Sequence, residues 1–118
     1  MASTNSEQLA QKHCLPCEGG VPALDASRID AFLAQLPDWS LTPDGKRIRR
    51  KWRAKDFAAA LDFLNRIGAI AEAEDHHPDL HLEGYRQVCV EIWTHAVGGL
   101  SENDFILAAK IDRLVGPM

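Results

Sequence analysis

The chain predicts an α+β fold: a single domain in which a four-stranded antiparallel sheet carries three helices on one face, in the order α-β-β-α-β-β-α. Three observations predict it. Apolar residues recur at three- and four-residue spacing in three separate runs, as amphipathic helices require. Between the runs lie two pairs of short alternating segments joined by turn residues, as β-hairpins require. At 118 residues the chain has the length of one ordinary domain, and two such hairpins make a sheet that must bury one face under the helices.

The first helix starts near Leu24. Ser27, with Asp30 three residues on, has the form of a capping box; Ile29, Phe32, Leu33 and Leu36 share a face, and Pro37 ends the run. Trp39 and Leu41 then alternate with polar residues, Pro43-Asp44-Gly45 is turn chemistry, and Ile48 and Trp52 alternate with Lys and Arg, completing a first hairpin. Asp56 is placed to cap a longer helix along Phe57, Ala60, Leu61, Leu64, Ile67, Gly68 and Ala71. Pro78 disfavours the α conformation at His77, so this helix ends near Asp75 or His76 and leaves the paired histidines at a helix-to-strand corner. Residues 80–83 read as a short strand and residues 86–95 as a longer one, with Val88, Val90, Ile92 and Thr94 on one face and Cys89, Glu91, Trp93 and His95 on the other. Ser101 and Asp104 repeat the capping-box pattern before a last helix striped by Leu107, Ala108, Ile111, Leu114 and Val115, and Gly116-Pro117 ends it.

Residues 1–22 carry Pro16, Gly19, Gly20 and Pro22 and no hydrophobic period, so they are expected to form a flexible N-terminal extension to a domain spanning 23–118. Removing residues 1–20 is then expected to leave fold and turnover nearly unchanged.

Thirteen basic against seventeen acidic residues give a net charge of −4, which offers no overall attraction to nucleic acid or anionic lipid. No apolar stretch approaches the ~20 residues of a membrane span, and residues 1–11 lack an apolar signal core. A cytoplasmic protein with no nucleic-acid or membrane partner is expected. Three cysteines, Cys14, Cys17 and Cys89, cannot all pair with one another, and reduced thiols are the default.

Titratable groups crowd at Glu72, Glu74, Asp75, His76 and His77, followed by His81 and His95, so that four of the five histidines lie between His76 and His95. Imidazole both takes and gives a proton near neutral pH, which suits converging histidines to proton transfer. The same residues also fit a polar helix end in which imidazoles cap carbonyls. A zinc site drawn from these histidines with Asp79 or Asp104 is disfavoured, because adjacent histidines point apart and no HExxH or paired CxxC is present. Cys14-Leu15-Pro16-Cys17 is a lone CxxC ahead of the folded pattern and reads as incidental. Six basic residues in the eight from Lys46 to Arg53 fit an anion site or, given the acidic total, a solvated strand edge. Asp104 is accounted for by its capping position alone.

The string Glu72-(three residues)-His76-His77-Pro78, then Tyr85, Thr94-His95 and Asp104, resembles the signature of the pterin-4a-carbinolamine dehydratase family. Similarity in pattern runs from about Leu24 to Val115 and includes Asp38-Trp39 and Lys55-Asp56-Phe57. The resemblance implies a hydro-lyase that converts 4a-hydroxytetrahydropterin to quinonoid dihydropterin and water in tetrahydrobiopterin recycling, with no metal or organic cofactor. It implies His76 and His95 as the catalytic proton-transfer pair and His77 as a substrate-positioning residue. Glu72, Asp75 and Asp104 complete the substrate-binding set by orienting or polarising these groups. It further implies a functional link to an aromatic amino-acid hydroxylase and a homodimer or homotetramer, an assembly that unpaired sheet edges also favour. The alternative it carries is a non-catalytic dimerisation or transcription-coactivator module on the same fold. One departure stands out: Asn103 occupies a position where the family often has a basic residue.

Overall fold

The computed structural model describes residues 6–15, 22–114 and 116. Its elements are α1 Ser6–Gln11, α2 Ala26–Leu33, β1 Ser40–Leu41, β2 Ile48–Arg53, α3 Phe57–Glu74, β3 Asp79–Glu83, β4 Gln87–Ile92, a 3₁₀ turn His95–Val97, and α4 Glu102–Asp112. From α2 onward this is the expected α-β-β-α-β-β-α order. The strands form one antiparallel sheet in the order β1-β2-β4-β3.

Ile48, Val88, Val90 and Ile92 project from the two central strands into the core, where they meet Ala60, Phe63 and Ile67 of α3 and Phe105, Leu107 and Ile111 of α4. The alternation that put Val88, Val90, Ile92 and Thr94 on one face is therefore the alternation that buries them. Burying such side chains stabilises by roughly 1.5–3 kcal/mol each. Trp39 joins the same core and donates its Nε1–H to Asp112 Oδ1 at 2.8 Å.

Local chemistry sets the element ends. Asp56 caps α3 by accepting the Ala59 N–H at 2.8 Å, as expected. The cap of α2 differs: Asp25 accepts the Arg28 N–H at 2.9 Å, and Ser27 lies inside the first turn. Aspartate is as good a cap as serine, and here it is two residues nearer the start of the run.

Two further expectations are corrected. The basic strand β2 is an inner strand of the sheet, paired with β4 along its whole length and with β1 at Ile48 and Arg49. Three of the six basic residues from Lys46 to Arg53 are matched within the fold: Arg47 reaches Asp79 and Glu91, Arg49 reaches Glu91, and Arg50 reaches Asp112. The N-terminal segment is also not outside the core. Residues 6–11 form α1, and Leu9 is fully buried among the core residues against α4. One buried leucine anchors a segment too short to show a helical period. Its presence explains α4, which is buried on nearly every side, Asn103 to Ala109 together with Ile111. An ordinary surface helix buries a single stripe.

Among the described residues no helix is long and apolar enough to cross a membrane. Cys17, Val115 and Pro117 lie outside the described residues.

Candidate active site

The site begins with how α3 stops. Asp75 adopts φ 51°, ψ 42°, the left-handed conformation, its N–H reaches Glu72 O at 3.3 Å, and the His76 N–H reaches back to Ala71 O at 3.1 Å. This is the Schellman pattern, usually completed by glycine. Short polar aspartate is one of the few other residues that visits this region. The turn reverses the chain, and Pro78 then commits it to the extended path into β3. Consecutive histidines leave the corner in opposite senses.

His76 goes inward, with 5% of its surface exposed. Its Nε2–H donates to Asp104 Oδ1 at 2.7 Å. Asp104 is itself fully buried, and its second oxygen accepts from Thr94 Oγ1 and from the Ser101 N–H, each at 2.9 Å. Because the Thr94 hydroxyl proton is committed to the carboxylate, the Ser101 hydroxyl donates to Thr94 Oγ1 at 2.8 Å. The capping box read from Ser101 and Asp104 is present, and the same carboxylate also holds an imidazole from another element. Spacing showed only the first of these two duties.

His77 goes outward, and its Nε2 pairs with Glu72 Oε2 at 2.5 Å, both side chains being well exposed. His95 follows Thr94, opens the 3₁₀ turn after β4, and is exposed. Its imidazole packs on the Trp93 ring with centroids 4.0 Å apart, and the Arg47 guanidinium lies 4.8 Å from the same indole. Asp104 thus ties the His76 corner to the Thr94-His95 end of β4.

Two members of the titratable cluster lie elsewhere. His81 sits opposite Cys89 on the sheet face away from the helices. Glu74 turns toward the N-terminal segment, accepting the Cys14 N–H at 2.7 Å and meeting His13 Nδ1 at 3.0 Å, with Lys110 Nζ at 3.6 Å. Burial works against its ionisation, but these donors and the Lys110 charge prevail and hold its carboxyl below the usual range. Burial, with Glu74 alongside, pushes the Cys14 thiol up to about 12, so it stays protonated near neutral pH and is a poor metal ligand or nucleophile. Among the described residues no three His, Cys, Asp or Glu side chains converge as a metal site requires.

Asn103, the departure from the family pattern, is almost fully buried. Its amide faces the backbone of Leu15: the Leu15 N–H donates to Oδ1 at 2.9 Å, and Nδ2 donates to Leu15 O at 2.7 Å. Sequence reasoning missed this function. The available signal was the unbroken apolar run from Phe105 to Ala109, too wide for one stripe and so in need of a cover.

Fold and geometry together define a histidine–carboxylate site on a small α+β domain. A family model described as "Pterin 4 alpha carbinolamine dehydratase" matches residues 22–114. The chain belongs to this family of hydro-lyases. A protein of Halorhodospira halophila named after the same dehydratase is 50% identical over 106 residues, covering 90% of this chain and 96% of its own length. The Arabidopsis thaliana protein named "Pterin-4-alpha-carbinolamine dehydratase 2, mitochondrial" is 48% identical over 109 residues, 90% of this chain and 58% of that protein. Among solved structures, a "transcriptional coactivator/pterin dehydratase" from Brucella melitensis superposes with a TM-score of 0.72 at 31% identity, covering 77% of this chain and 96% of that one.

Proposed function

We propose that the chain dehydrates 4a-hydroxytetrahydropterin to quinonoid dihydropterin and water by histidine acid–base catalysis, as part of tetrahydrobiopterin recycling. The observation that carries this reading is the buried Asp104 carboxylate, which holds His76 with one oxygen and the residue next to His95 with the other. In the reaction a proton leaves N5 of the pterin, the 4a-hydroxyl departs after gaining a proton, and one water is released. His76 is the base: a carboxylate on one ring nitrogen fixes the ring and stabilises the imidazolium formed when it takes the N5 proton. His95 is the acid that protonates the departing hydroxyl, with its ring seated on Trp93. His77 binds the pterin at the exposed rim, Glu72 and Asp75 orient it, and Asp104 acts through His76 because its burial keeps it from substrate.

The enzyme is further proposed to work as a homodimer or homotetramer in the cytoplasm, linked to an aromatic amino-acid hydroxylase that supplies the carbinolamine. The name of the Brucella protein favours a second reading, a coactivator module on the same fold. A turnover assay on carbinolamine generated in place separates the two. The expected result is a rate well above the no-enzyme background that survives exhaustive chelation, since proton transfers alone suffice. A rate at background would leave the module reading standing.

A further inference from the structure

The two side chains that grip the N-terminal segment are near neighbours of the pair at the heart of the site. Glu74 lies two residues before His76, and Asn103 lies immediately before Asp104. Between them they hold Cys14 and Leu15 by three backbone hydrogen bonds of 2.7–2.9 Å. The grip extends outward: Lys110 Nζ donates to Ala10 O at 2.8 Å, Lys12 pairs with Glu102 at 2.6 Å, and Leu9 is buried against α4. The segment therefore spans the end of α3 and the start of α4, the two places that must stay in register for His76 Nε2 to meet Asp104 Oδ1.

We propose that residues 9–15 are a working part of the active site, a strap that positions the His76–Asp104 pair through Glu74 and Asn103. This rests on the catalytic reading of that pair given above. Glu74 and Asn103 are positioning residues and touch no substrate. Asparagine suits the task because its amide offers one donor and one acceptor in the geometry of a backbone partner, and Leu15 takes both. A long basic side chain offers donors only. Losing the strap leaves buried polar groups unpaired on both elements, and a small displacement of a catalytic imidazole is enough to cost about 10- to 100-fold in rate.

The test uses the full chain with Asn103→Ala, followed by turnover and by the ¹⁵N-histidine spectrum of the His76 imidazole. The strap predicts kcat lower by about 10- to 100-fold with KM held within about twofold, together with a shifted or broadened His76 signal. Wild-type kcat overturns the proposal whatever the spectrum does, and so does a loss of kcat with the His76 signal unmoved. Should Asn103→Ala fail to fold, Leu15→Pro is compared with Leu15→Ala on the same criteria. Leu15 is 60% exposed, so side-chain burial contributes little to the difference between these two, which reads the missing N–H together with proline's constraint on the backbone at Cys14 and Leu15. If the unaltered protein shows no turnover, the catalytic reading fails on its own account. The strap is then judged by the His76 signal, which must move in the variants for it to stand.

Discussion

His76 and His77 are adjacent in sequence and opposite in circumstance. His76 is almost fully buried and held by a carboxylate with no exposure at all, whereas His77 and its partner Glu72 are 57% and 76% exposed. The distances are alike, 2.7 Å and 2.5 Å, but the energetics are not. A buried, multiply bonded carboxylate cannot lose a partner without stranding others. An exposed pair is screened by water and contributes about 0–1 kcal/mol. The inner pair holds a fixed ring in the interior, and the outer pair lies at a solvent-facing rim.

The largest effect that could break this contrast comes from Asp104. Asp104→Ala removes the acceptor for His76, Thr94 and the Ser101 N–H at once, and is expected to cost about 3–5 kcal/mol of stability. Glu72→Ala should cost no more than about 1 kcal/mol. Chemical denaturation of the two variants measures both, and comparable losses would erase the distinction between inner and outer pairs.

The next effect is on rate. His76→Ala and His95→Ala should each lower kcat by about 10²- to 10⁴-fold, while His77→Ala should chiefly raise KM, as loss of binding at a rim does. The double variant of His76 and His95 should be less impaired than the product of the single effects, because groups acting as one unit are not additive. Rates are compared after subtracting the no-enzyme reaction. A KM effect at His76 with kcat intact at both His76 and His95 would reverse the assigned roles.

Much of this was legible in the sequence, and the rest was hidden for physical reasons. Strand alternation and helix spacing are local periodicities, so the sheet, the core face of β4 and the corner at Pro78 were readable. The Asp56 cap was readable too, because a cap is a contact between near neighbours. Spacing alone showed Asp104 only as a capping residue, since its bond to His76 spans 28 positions and no spacing rule reaches that far; its place in the site came from the family resemblance. The same holds for Asn103 and Leu15, 88 positions apart. Strand β2 was read as an edge because charge composition marks exposure poorly where cations such as Arg49 and Arg50 have an anion on the neighbouring strand or helix. The N-terminal segment was discounted because one buried leucine makes no period.

The smallest expected effect concerns Asp75, whose left-handed turn sends one histidine inward and the next outward. Its two possible duties can be separated because glycine and asparagine both remove the carboxylate while differing in backbone preference. Glycine enters the left-handed region freely, so Asp75→Gly should stabilise the protein by up to ~1 kcal/mol. Asp75→Asn should leave stability nearly unchanged, since both residues tolerate the conformation through their short polar side chains. If the Asp75 carboxylate also orients the rim, turnover should fall to the same extent in both variants, whichever is the more stable. Thermal denaturation and kcat/KM on the same preparations read the two quantities side by side. Wild-type turnover in the glycine variant would confine Asp75 to the turn, and the division between His76 and His77 would then owe nothing to its charge.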